Sequence, residues 1–126
     1  MKRITTVALL LCILVAPALA LEDINEPGKK TSVKQHFEEG KKTMVFFYAR
    51  WDKTANRLQV ELDRFDKVDE EWKILRVRLK TLKDPVAGQY AISQVPAFLL
   101  YDEKGNLMAQ GATAYSEVLK MLEANR

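Results

Sequence analysis

Residues 43–49 (TMVFFYA) form an apolar and aromatic run without polar alternation, as a strand covered on both faces requires. Asp52 follows at an N-cap position. Leu58, Leu62 and Phe65 then recur at helical spacing, which predicts a helix to about Val68. Residues 73–79 (KILRVRL) alternate, Leu75, Val77 and Leu79 facing one way and Arg76 and Arg78 the other, which predicts a strand with one exposed face. Strand, helix, strand in this order calls for a parallel pair joined by a crossover helix.

The flanking segments extend that unit. Residues 21–30 are polar, with Pro27-Gly28 as a turn signal, and read as a lead-in. Thr31 or Ser32 is placed to cap a short helix through Glu39, with Val33 and Phe37 on one face and Gly40 at its end. Asp84-Pro85 starts another short helix that runs to about Tyr90. Val95-Pro96 precedes an apolar strand at 97–101 (AFLLY), and residues 102–105 (DEKG) turn the chain into a strand at 106–110. Gly111 breaks that strand, and Ser116 is expected to cap a last helix with Val118, Leu119 and Leu122 as its apolar stripe. The predicted class is α/β, a central mixed sheet flanked by helices on both faces.

The first twenty residues are expected to lie outside this domain. Lys2 and Arg3 precede nine apolar residues, 7–15, and residues 16–20 (APALA) give the small-residue ending of a signal peptide cut after Ala20. A retained membrane anchor needs about 20 apolar residues, and this run falls well short. Cys12 follows Leu11 inside the run, which does not suit lipidation. The expected organisation is a signal peptide at 1–20 and one domain at 21–126, exported, and periplasmic in a Gram-negative host. No stable membrane insertion is expected after cleavage. Eighteen basic residues then face seventeen acidic ones, so no electrostatic footprint for nucleic acid remains. Cys12, the only cysteine, leaves with the leader. His36 without a cysteine gives no metal-ligand set, and no metal or other cofactor is expected.

From Thr31 to Arg126 the residues resemble the thioredoxin family. Residues 44–49 followed by Arg50-Trp51 resemble the strand that leads into the family's Trp-Cys-x-x-Cys motif. Residues 90–96 (YAISQVP) resemble its loop ending in a cis-proline, and the hairpin at 98–110, Gly111 and the last helix follow in register. The resemblance implies a thioredoxin-like fold. It also marks departures: Asp52 and Ala55 stand at the two cysteine positions, Phe46 at a buried acid, and Val77 at the lysine that accompanies it. Thiolate is the attacking species in disulfide exchange, so a cysteine-free domain is not expected to perform it.

Asp52 has two readings, a helix cap or a catalytic carboxylate. The cap is preferred, because no partner for catalysis is evident and His36 is placed away from the site. No catalytic residue is assigned. Trp51 is either an exposed recognition side chain or a packing aromatic. By resemblance, the loop at Pro96 presents the backbone of Val95 to an extended peptide. The candidate groove is then Trp51, Asp52, Lys53, Val95 and Pro96, with Gly111 and Ala112 on the far wall. Pro96 alternatively fixes only the turn. The leading function is a non-catalytic module that binds a polypeptide partner. The alternatives are an assembly subunit of a periplasmic complex and an enzyme with non-cysteine chemistry.

Overall fold

In the computed structural model, which describes residues 21–125, β1 (Lys42–Ala49) and β2 (Trp72–Leu79) pair in parallel, joined by α1 (Lys53–Val68). The expected leader lies outside the described residues. The strands β3 (Ala97–Tyr101) and β4 (Leu107–Gln110) add antiparallel, giving the sheet order β2-β1-β3-β4. α2 (Pro85–Gln89) covers one face, while α1 and α3 (Gly111–Ala124) cover the other.

The central strand explains its own composition. Met44, Phe46 and Tyr48 point to the α1/α3 face, where they meet Leu58, Leu62, Phe98 and Val118. Val45 and Phe47 point to the other face and meet Val33, Val77, Val86 and Leu99. With two covered faces, a polar residue on either side would lose its water, which is why no alternation is visible in this run.

Three expectations need correction. The helix expected from residue 31 or 32 to 39 is a single 3-10 turn, Val33–His36, and Ser32 makes no side-chain cap. Tertiary bonds hold the segment instead: the Tyr90 hydroxyl accepts from Val33 N–H at 3.0 Å and donates to the Thr31 carbonyl at 3.1 Å. Phe37 is already extended and packs on Tyr101, ring centres 4.9 Å apart. The last helix starts at Gly111 and not at Ser116, which lies inside it. Gly111 has φ +61°, a conformation that favours glycine, and turns the chain from β4 directly into the helix. Ala114, Val118 and Leu122 form the buried stripe, and Leu119 is exposed.

The third correction concerns Arg76 of β2, which does not face open water. The lead-in runs beside the strand, where Ile24 N–H donates to the Arg76 carbonyl at 2.9 Å. The Asn25 side chain accepts from Arg78 N–H at 2.9 Å and donates to the Arg78 carbonyl at 2.8 Å, as a strand backbone would. Arg76 is drawn inward, donating to the Leu21 carbonyl at 2.8 Å and to the Tyr48 hydroxyl at 2.9 Å, with Asp23 3.4 Å away.

Burial, and then the hydrogen bond to Asp23, raises the Tyr48 pKa above its usual value. The folded state therefore favours the neutral phenol. This contribution is fully present below the unfolded pKa of about 10 and disappears as pH rises through the folded value. Urea midpoints measured from pH 8 to 11.5 should fall more steeply for the wild type than for Tyr48→Phe.

A second tie links the lead-in to α2. The buried Asp84 accepts from Gly28 N–H at 2.9 Å and Lys80 N–H at 3.1 Å through one carboxylate oxygen. Asp84→Ala leaves both donors without that acceptor and should cost roughly 1–3 kcal/mol in chemical denaturation.

Candidate functional site

The sheet topology brings four segments to one end of the molecule. β1 and β2 both finish there, at Ala49 and Leu79. β3 begins there, because Ala97 pairs with Phe47, and β4 ends there before Gly111. Residues 50–53, 90–96 and 110–112 are thereby gathered, although they are distant in the chain.

On the first of these segments, Trp51 is 60% exposed and is therefore not a packing aromatic. Asp52 caps α1, its Oδ1 accepting from Thr54 N–H at 3.0 Å, while Oδ2 is buried and makes no hydrogen bond. Lys53 is exposed at the first helical position. Ala55, one turn into the helix, is fully enclosed by the α1/α3 core. His36 is exposed on the 3-10 turn, which packs against the opposite face of the sheet.

On the second segment, the Val95–Pro96 peptide bond is cis. Val95 is half-buried, and its backbone N–H and C=O make no hydrogen bond among the described residues. A cavity of about 750 Å³ opens between this loop and α3. It is lined by Val95, Pro96, Gly111 and Ala112 of the expected groove, whereas Trp51, Asp52 and Lys53 are not in its wall. Among the described residues no group of three or more His, Cys, Asp or Glu is placed to hold a metal ion, and no helix is long and apolar enough to cross a membrane.

Sequence reasoning missed the rest of the wall. Tyr115, Leu119 and Glu123 project from α3 into the cavity. With Ala112 they recur every three or four residues and form one flank of a helix. A helix begun at Ser116 leaves Ala112 and Tyr115 in a loop and hides that flank. The available signal was the spacing 112–115–119–123, combined with Gly111 as the turn into the helix.

Comparison with known proteins decides the architecture. A yeast chain, solved in work on thiol resolution in mitochondrial 1-Cys peroxiredoxin through glutathione and thioredoxin systems, superposes with a TM-score of 0.58. The match covers 81% of this chain and 98% of that one at 17% identity. Thioredoxin F from spinach chloroplast, in its short form, gives 0.57 over 86% and 96% at 13% identity. The fold is thioredoxin-like. Fasciola hepatica thioredoxin agrees, with a TM-score of 0.53 over 70% of this chain and 84% of its own at 15% identity. No protein-family model and no curated protein sequence matches the chain. The only cysteine of the sequence is Cys12, outside the described residues, so the Cys-x-x-Cys pair is absent.

Proposed function

We propose that this chain is an exported polypeptide-binding module that uses a thioredoxin-like fold without thiol–disulfide exchange. The observation that carries the reading is Val95, whose main-chain donor and acceptor are unpaired at the mouth of a cavity of about 750 Å³. An extended chain laid along the loop would supply the missing partners by β-augmentation, and pockets beside it would read alternate side chains. Trp51 adds an exposed aromatic of the kind enriched at interface hot spots. The cavity has the volume of a typical ligand site, and Tyr115 and Leu119 give it an apolar wall.

Redox chemistry is the competing activity, and its reagent is lacking. Asp52 sits at the helix N-terminus, where a thiolate would be stabilised by the free N–H groups, but a carboxylate there makes no mixed disulfide. Its Oδ1 is held by Thr54 N–H, which agrees with a cap and gives no base aimed at a substrate.

The test compares bound sets. The native protein and two variants, Trp51→Ala and Ala112→Trp, are crosslinked in the producing cell and the captured proteins are identified. Both substitutions are at exposed positions, and the second fills the cavity mouth. The expected result is a defined set of polypeptides that is lost in both variants. An unchanged set in both would overturn the groove, and insulin reduction above blank by the native protein would overturn the non-redox reading.

A further inference from the structure

Charge is divided between the two ends of the sheet. Where β1 and β2 begin, the bordering segments carry Glu38, Asp69, Glu70 and Glu71, and Asp102 and Glu103 follow β3 at the same end. Three cations at that end are paired, Lys41 and Lys73 lying 3.4 and 3.5 Å from Glu38 and Lys42 2.7 Å from Glu71, while Lys104 in the turn after β3 makes no ion pair among the described residues.

The other end differs. Ala49 and Leu79 are register partners, so residues 50–53 and 80–83 leave the sheet as neighbours, about 4.8 Å apart at their roots. These segments carry Arg50, Lys53, Lys80 and Lys83, all exposed and none in an ion pair among the described residues. The two carboxylates nearby are turned to the main chain, Asp52 to Thr54 N–H and Asp84 to Gly28 and Lys80 N–H. The same segments hold two exposed apolar side chains, Trp51 and Leu82, the latter 41% exposed.

We infer that the occupant of the Val95 groove is an acidic polypeptide segment, whose carboxylates meet Arg50, Lys53, Lys80 and Lys83 and whose apolar residue rests on Trp51 and Leu82. This rests on the polypeptide-binding reading and names its partner's chemistry. Exposed cations lose little water on pairing at an interface rim, so they act on encounter rate and on the rejection of basic competitors. A lipid surface would suit the cations and Trp51, but it would leave the Val95 backbone and the cavity behind it unfilled. An extended chain engages all of them.

The experiment uses protein purified after expression of the full reading frame and fluorescein-labelled peptides of about twelve residues, alternating Val-Glu, Val-Ser or Val-Lys. Anisotropy at low salt should show Val-Glu bound at least about tenfold more tightly than Val-Ser, with Val-Lys weakest. That margin should collapse in 0.5 M salt, where the Debye length shrinks to about 4 Å, and in Lys80→Glu/Lys83→Glu. Both lysines are exposed, and Arg50→Ser gives an independent, smaller loss if the double variant folds poorly. Equal affinity for Val-Glu and Val-Ser, lost in Trp51→Ala, would overturn the acidic preference and leave the groove standing. No binding of any peptide would overturn both. Binding to phosphatidylglycerol vesicles without peptide binding would reassign this end to a membrane surface and overturn the inference.

Discussion

Asp52→Cys combined with Ala55→Cys is expected to give the domain a reducible disulfide, and with it insulin reduction above a blank. The two positions flank the first turn of α1, where helix geometry sets their Cα atoms about 5 Å apart, within the roughly 4.4–6.8 Å that a disulfide spans. A thiol at 52 would be partly exposed and would inherit the Thr54 N–H that now serves the Asp52 carboxylate. Free N–H groups and the helix dipole favour a thiolate there, so its pKa should fall below the ordinary 8.5 or so. A sulfur at 55 would be enclosed by the core, at an overpacking cost of about 1–3 kcal/mol. Asp52→Cys alone is the control and should show no internal disulfide. Two free thiols in the oxidised double variant, counted with a thiol reagent, would mean that the helix start lacks the necessary geometry.

Phe46→Ala should be the most damaging single truncation, lowering stability by about 3–5 kcal/mol in urea unfolding. Phe46 is fully buried between two rings, stacked on Tyr48 at 5.3 Å and on Phe98 at 5.1 Å. A domain of this size has about 5–15 kcal/mol in total, so the loss is a large share of it. Phe46→Leu keeps most of the volume and should cost far less. Phe46→Asp should not fold at neutral pH. Arg76 is its register partner on β2, but both terminal nitrogens of that guanidinium already serve Leu21, Tyr48 and Asp23 and only its buried Nε is unbonded, so a buried carboxylate would have to share an engaged cation. A Phe46→Asp protein with wild-type stability would show that this position retains the character of an acid site.

Sheet and helix positions were legible in the sequence where local pattern and tertiary burial agree. The apolar run of β1, the Asp52 cap and the Leu58–Leu62–Phe65 stripe each identify one element, and α1 ends at Val68 as the pattern predicts. Legibility failed where side chains from remote segments replace backbone hydrogen bonds. Nothing near Ser32 announces that Tyr90, 57 residues from Val33, will hold this segment and make a helix unnecessary. Nothing in the alternation of β2 shows that Arg76 will be covered, because the cover is Leu21 and Asp23 from a segment that reads as polar and featureless. For the candidate site, the loop residues Val95 and Pro96 and the turn at Gly111 were visible as breaks in pattern. The α3 wall was not, since Ser116 is a plausible cap and Ala112 to Tyr115 carry no capping signal of their own.

The Asn25 amide that imitates a strand beside Arg78 also limits how this protein can grow into larger objects. A sheet with two open sides can recruit neighbour after neighbour and propagate a fibre. Here the outer side of β2 is taken from Arg76 to Arg78 by Ile24 and Asn25, so among the described residues only its first half remains open besides β4. Molecules that join margin to margin through β4 consume that edge in both copies, so among the described residues further growth is left only the short uncovered half of β2.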